Sequence, residues 1–400
     1  MLVFGTRPEA IKMAPVYRAL RADPVAFETV CCVTAQHRHL LDQVLGTFEI
    51  TPDIDLDLMR HRQDLVDMKA AVLQAMRTVL IQTQPDLVLV HGDTTTSMAS
   101  ALAAFYAGIA VGHVEAGLRS CDLSAPFPEE FNRRATGMIA KYHFAPTERN
   151  KANLTAEGHD ARSIVVTGNT VVDALNYFGD RAKSDHSHRA QIAACLDTTL
   201  KFEWRNDRFI VVTCHRRENF AAGLASICAA LDQLATAFPE VHFVCPVHPN
   251  PSVSAPVRAL LAGRRNVHLI EPLPYDAFLY LLRACYFVLT DSGGLQEEGP
   301  ALGKPVLVMR SVTERPEAVE AGGIKLVGAD QAGIVDGAFR LLTDQRAYRL
   351  MCAAPSPYGD GMASERIADF LRFRLAASDN RSGADTSIPS TTLSTVGAAR

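Results

Sequence analysis

The chain is predicted to be an α/β protein of two Rossmann-like, doubly wound parallel-sheet domains facing one another across a central cleft. Three observations lead there. Short apolar runs alternate with amphipathic helical stretches along most of the chain, as in a parallel sheet covered on both faces. The alternation breaks once, at the polar stretch 181–189, and then begins again. A length of 400 residues exceeds one ordinary core and suits two domains.

In the first half the strand-like runs lie near residues 2–4, 28–34, 86–91, 110–114, 142–145 and 163–167. Helical periodicity separates them, most clearly over Pro8–Leu20, Leu65–Gln82 and Thr95–Tyr106. The first run, Leu2-Val-Phe, is short against the ~5–6 residues of a usual strand. The chain is therefore expected to start inside this strand, leaving the loop after it weakly anchored. Gly168-Asn-Thr reads as a turn. The second series follows as Phe209-Ile-Val-Val-Thr, Val241-His-Phe-Val-Cys, Val267-His-Leu-Ile, Tyr286-Phe-Val-Leu-Thr, Pro305-Val-Leu-Val-Met and Ile324-Lys-Leu-Val. The expected divisions are an N-terminal domain over 1–170, a C-terminal domain over 171–362, a helix over 363–377 returning to the first domain, and a disordered Ser/Thr-rich tail over 378–400.

Composition narrows the function. Hydrophobic residues make up 48%, charged residues 21%, and the net charge is −4. No positive field favours nucleic acid or an anionic membrane surface. No run reaches the ~18 apolar residues of a membrane span, and no signal-peptide pattern opens the chain. The nine cysteines are scattered without a C-x-x-C pair, which reads as reduced thiols in a cytoplasmic protein.

Three carboxylates carry the strongest chemical signal: Asp93 in His91-Gly-Asp-Thr, Glu115 in His113-Val-Glu-Ala-Gly-Leu-Arg, and Glu129 in Phe127-Pro-Glu-Glu. Each is expected at or just after a strand end, where open α/β sheets bind ligands. Acids crowded there shift one another's proton affinity, which suits one to hold a proton and another to remove one. In Gly5-Thr-Arg-Pro-Glu-Ala-Ile-Lys, a strand end followed by Pro8 places Arg7 and Lys12 around a helix N-terminus, a site for anions. Their alternative is solvated surface charge. In Asp291-Ser-Gly-Gly-Leu-Gln-Glu-Glu, Gly293 and Gly294 would open backbone amides to a phosphate beside the Ser292 hydroxyl. Glu298, about two turns into the next helix, would reach ribose hydroxyls. His215, in Thr213-Cys-His-Arg-Arg-Glu-Asn, leads a charged cluster at a strand end, with Arg310 and Arg315 adding positive charge. The histidines lack metal-ligand spacing, so no metal is expected, and G-x-G-x-x-G is absent, so neither is a nicotinamide cofactor.

Taken together with Thr34-Ala-Gln-His-Arg, Pro128-Glu-Glu-Phe-Asn-Arg and His215-Arg-Arg-Glu-Asn, these motifs resemble, over roughly residues 2–375, the bacterial non-hydrolysing UDP-N-acetylglucosamine 2-epimerases. The resemblance implies the two-domain GT-B architecture, a UDP-sugar substrate, no cofactor and a homodimer. It implies interconversion of UDP-GlcNAc and UDP-ManNAc for surface polysaccharides, by loss of UDP to 2-acetamidoglucal and its re-addition. Asp93, Glu115 and Glu129 would then supply acid and base, and His215 would stabilise the leaving diphosphate or relay a proton. Arg7 and Lys12 would face the substrate, Ser292, Glu298 and Arg315 would hold UDP, and Phe278 would pack near the uracil.

Gln36, His37, Arg62 and Arg216 match a regulatory UDP-GlcNAc site of some members, although His39 replaces their glutamine. Gly299 stands where alanine is usual, a change expected to matter little. The competing readings are a 2-epimerase of a related UDP-2,3-diacetamido sugar, a GT-B glycosyltransferase needing an acceptor groove, and a non-catalytic nucleotide-sugar binder.

Overall fold

A computed structural model describes residues 1–35, 38–59, 63–214, 222–248 and 250–382. In the first half the strands are β1 (Leu2–Phe4), β2 (Cys31–Val33), β3 (Ile54–Asp55), β4 (Leu87–His91), β5 (Ala110–Val114), β6 (Tyr142–Ala145) and β7 (Ile164–Val166). Those of the second half are β8 (Phe209–Thr213), β9 (His242–Pro246), β10 (Val267–Ile270), β11 (Phe287–Thr290), β12 (Val306–Val308) and β13 (Ile324–Leu326). They form two sheets, ordered β3-β2-β1-β4-β5-β6-β7 and β10-β9-β8-β11-β12-β13. All pairings are parallel. The expected pair of doubly wound sheets is present.

Strand order reverses between β1 and β4 in one sheet and between β8 and β11 in the other. These are the switch points at which such sheets open a ligand crevice. Every strand-like run of the sequence became a strand. The extra one, β3, is two residues long and sits at the sheet edge. Its run alternates Ile54, Leu56 and Leu58, packed on the core, with Asp53, Asp55 and Asp57. That is the period-2 pattern of a half-buried edge strand.

The short β1 is well held. Leu2, Val3 and Phe4 are at most 1% exposed, and a buried Phe contributes roughly 1.5–3 kcal/mol. The loop after it, expected to be weakly anchored, is fixed by Glu9. One oxygen of that carboxylate accepts the Gly5 and Thr6 amides, at 3.1 and 2.8 Å. The other accepts the Thr94 and Ser97 hydroxyls, at 2.6 and 2.8 Å. Thr6 caps the Arg7–Arg21 helix in return, a reciprocal capping box. Glycine suits position 5, since a Cβ there would collide with the Thr34 and Thr96 hydroxyls.

The polar stretch 181–189, expected to interrupt the pattern, is helical except at Asp185, which separates the helices Thr170–Ser184 and His186–Thr199 and caps the second. The first of these packs against the Arg7–Arg21 helix and also touches the Leu295–Ala301 helix of the second half. It therefore bridges the two sheets. Asp173 on it accepts the Ala363 and Ser364 amides, which docks the start of the Ala363–Ser382 helix. That helix runs back along Arg7–Arg21 and continues to Ser382, past the point where a disordered tail was expected. Residues 383–400 lie outside the described residues.

Candidate active site

The cleft between the sheets encloses a cavity of about 530 Å³, lined by Arg7, Lys12, Asp93, Glu115, Glu129, Phe278, Ser292, Gly293, Gly294, Glu298 and Arg315 among others. All eleven were singled out in the sequence, from segments up to three hundred residues apart. Four others, Gln36, His37, Arg62 and Arg216, lie outside the described residues, as does His215.

The acids occupy three different local structures. Asp93 follows β4 by two residues, just before Thr94 caps the Thr95–Tyr106 helix. Glu115 follows β5 in the left-handed region, at φ 62°, a conformation costly for a side chain of its size and typical of functional sites. Glu129 is not at a strand end as expected. It begins the Glu129–Ile139 helix, where the positive end of the helix dipole favours a carboxylate.

Environment drives Asp93 and Glu115 apart. Burial raises the Asp93 proton affinity, and the negative Glu115 and Glu129 add to it, against the pull of Arg133 and Arg315. Asp93 still keeps 29% side-chain exposure at the cleft wall. Burial would raise Glu115 as well, but Lys12, His91 and Arg315 outweigh it and hold that carboxyl well below the usual range. Lys12 contacts Glu115 directly, Asn169 Nδ2 donates to the same oxygen at 3.0 Å, and His91 Nε2 stands 3.7 Å away. One acid is poised to carry a proton and the other is fixed as an anion.

Lys12 is 6% exposed, so the solvated-charge alternative fails for it. Its ammonium lies between Glu115 of the first domain and Glu297 Oε2 of the second, the latter at 2.7 Å. Glu297 Oε1 takes Arg315 Nε at 2.5 Å. Arg315 continues to Glu314 at 3.6 Å, and Glu314 to Arg310 at 3.1 Å. The Glu314 carboxyl is lowered to about 2: Arg315 and Arg310 together overcome its burial. A ladder of alternating charge thus crosses the cleft.

Arg7 lies over the Tyr275 ring, 5.7 Å from its centroid, and the Tyr275 hydroxyl donates to Glu298 Oε1 at 2.9 Å. Burial raises both the Tyr275 hydroxyl and the Glu298 carboxyl. The helix bearing Glu298 starts at Leu295, so this acid lies in its first turn, not two turns in. Gly294 has φ −62°, ordinary for any residue. Its use is the open space that a missing side chain leaves. Gly299 differs from expectation more sharply: a Cβ there would meet Val306 Cγ2 at 2.3 Å, so glycine is fitted to this strand.

The sequence reading passed over Arg133, Asn169, Tyr275 and Glu297. Two could have been found by spacing: Arg133 is one helical turn beyond Glu129, and Glu297 adjoins Glu298. Asn169 and Tyr275 carry no local signal, because only the fold brings them to the cleft. Among the described residues no His, Cys, Asp and Glu group has metal-site geometry, and no helix is long and apolar enough to cross a membrane.

Comparison with known proteins agrees with this geometry. The family model described as UDP-N-acetylglucosamine 2-epimerase matches residues 18–372. A UDP-N-acetylglucosamine 2-epimerase of Yersinia pestis is 53% identical over 375 residues, 93% of this chain and 98% of its own. The crystal structure of the Neisseria meningitidis UDP-GlcNAc 2-epimerase bound to UDP-GlcNAc superposes with a TM-score of 0.88 at 46% identity, covering 92% of this chain and 98% of the other. A S. aureus structure with UDP gives 0.86 at 44% identity, over 94% and 96%.

Proposed function

Since the chain belongs to the UDP-N-acetylglucosamine 2-epimerase family, we propose that its cleft interconverts UDP-GlcNAc and UDP-ManNAc. The observation that carries this is the pairing of Asp93, whose proton affinity is raised by burial, with a Glu115 held as an anion, in one cavity with Arg7, Lys12 and Arg315.

The C2 proton of the sugar is not adjacent to a carbonyl, so direct removal is prohibitive. Breaking the C1–O bond to UDP gives C1 cationic character and acidifies C2–H. Asp93 takes that proton as UDP departs, leaving 2-acetamidoglucal. Glu129, on a separate element, serves the opposite face, and re-addition of UDP with protonation there inverts C2. Glu115, held by Lys12 and Asn169, stays ionised and stabilises the developing charge at C1. Ser292, the open amides at Gly293 and Gly294, and Arg315 receive the diphosphate. Glu298 takes ribose hydroxyls, Phe278 the uracil, and His215 the leaving oxygen. Retaining the glycal requires that substrate in the cleft be shielded from water.

The product would feed surface polysaccharide assembly from the cytoplasm. The protein acts as a homodimer in this reading. The supporting surface is formed by Ile81, Phe105, Tyr106 and Met138, 53–80% exposed apolar residues near the ends of three adjoining helices. Incubation with UDP-GlcNAc in D₂O, followed by proton NMR, tests the reaction. UDP-ManNAc carrying deuterium at C2 is expected. A folded, UDP-binding protein that leaves C2–H intact would exclude this substrate.

A further inference from the structure

Arg133 was not among the groups expected at the site, yet it is 3% exposed on the cavity wall. The Glu129–Ile139 helix carries it one turn beyond Glu129. Its Nη2 lies 3.3 Å from Asp93 Oδ2, and its Nε 3.4 Å from Glu130 Oε2. Glu130 is fully buried, and the same oxygen accepts the Ser120 amide at 3.0 Å. Beside it, Asn132 Nδ2 donates to the Asp93 carbonyl at 2.9 Å. One helix therefore grips Asp93 by side chain and backbone, and Glu130 holds the grip in place.

The geometry points to Arg133 as the positioning residue for Asp93, with Glu130 setting how strongly it pulls. Arg133 divides its charge between two carboxylates. Weakening one partner frees it for the other. The charged groups facing Asp93 are Arg133 and Glu129 from this helix, Glu115 from the segment after β5, and Arg315 from the second domain. Only Arg133 is both cationic and within ion-pairing distance among the contacts described.

This inference rests on the proposed epimerase reading. Its signature is a pair of shifts of opposite sign. Arg133→Gln removes the pull on Asp93, so the limb of the kcat/KM profile governed by Asp93 moves up by about one pH unit or more. Arg133 Nε donates to the Glu129 carbonyl at 3.4 Å, so Glu130→Gln leaves that bond and an acceptor for the Ser120 amide in place but loses the competing charge, and the same limb moves down. Arg133→Lys keeps the charge and shifts less than Arg133→Gln. The loss in Arg133→Gln falls on kcat, with UDP affinity by calorimetry at the wild-type value.

The experiment is the pH dependence of solvent deuterium entry at C2 of UDP-GlcNAc for wild type and the three variants. Failure of the wild type to exchange would sink the epimerase reading itself. Exchange in the wild type with limbs that stay put, or with both Gln variants shifting the same way, overturns the role of Arg133. If Arg133→Gln does not fold, the downward shift in Glu130→Gln decides alone.

Discussion

Lys12 and Glu297 meet at 2.7 Å across the two domains, both buried, and neither belongs to the other's sheet. The same ammonium contacts Glu115, and the same carboxylate takes Arg315. The proposed acid–base groups on one side are thereby tied to the proposed diphosphate site on the other. Losing one partner of a buried ion pair is far costlier than never having had the pair, because the remaining charge stays desolvated.

Glu297→Gln leaves Lys12 and Arg315 to share fewer carboxylates. A loss of about 3–5 kcal/mol in stability is expected, read by urea unfolding, together with weaker UDP binding by calorimetry. Unchanged UDP affinity would show that the ladder is structural only.

Asp93→Asn should abolish turnover and leave UDP binding nearly intact, while raising the melting temperature. The sign follows from the raised Asp93 proton affinity in the fold. Above the ordinary aspartate range the native carboxylate is penalised, and Asn removes that penalty. The gain should shrink as pH falls and wild-type Asp93 becomes protonated. A variant melting below wild type at pH 8 would contradict this.

Glu115→Gln should do the opposite to stability. Its carboxyl is held low by Lys12, His91 and Arg315 against burial, so the charge stabilises the fold above the ordinary glutamate range. That contribution is lost as pH falls through the depressed native value. About 3 kcal/mol of destabilisation is expected at neutral pH, closing toward wild type in acid. Parallel stability–pH curves for the two proteins would refute it.

Gly299→Ala should destabilise despite the better helix propensity of alanine. The new methyl would collide with Val306 at the 2.3 Å approach. Overpacking costs about 1–3 kcal/mol, against a propensity gain of up to about 1 kcal/mol. Adding Val306→Ala should recover part of the loss. A single variant more stable than wild type would show that the strand yields.

Met138→Glu with Tyr106→Glu places charge on the apolar surface near the helix ends. If the proposed homodimer forms through this surface, sedimentation should show a dimeric wild type and a monomeric variant. A wild type that sediments as a monomer, or a charged variant that remains dimeric, would remove this surface from consideration.

The two doubly wound sheets are legible in the sequence, because buried parallel strands and amphipathic helices are written in local periodicity. The sequence also pointed to eleven residues of the cavity wall. Acids, glycines and arginines beside strand ends carry their meaning locally, since those ends converge on the crevice. Tertiary structure alone decided how these groups are coupled. Nothing near Lys12 announces that Glu115 and Glu297 will both reach it, or that Asn169 will brace Glu115. Arg133 and Glu130 are sequence neighbours of Glu129, yet their hold on Asp93 depends on a helix packing beside the end of β4. The fit of Gly299 to Val306 is likewise a matter of ångströms between strand and helix. Period and residue type are local properties; proton affinity and ion pairing depend on distances between segments that only the folded chain brings together.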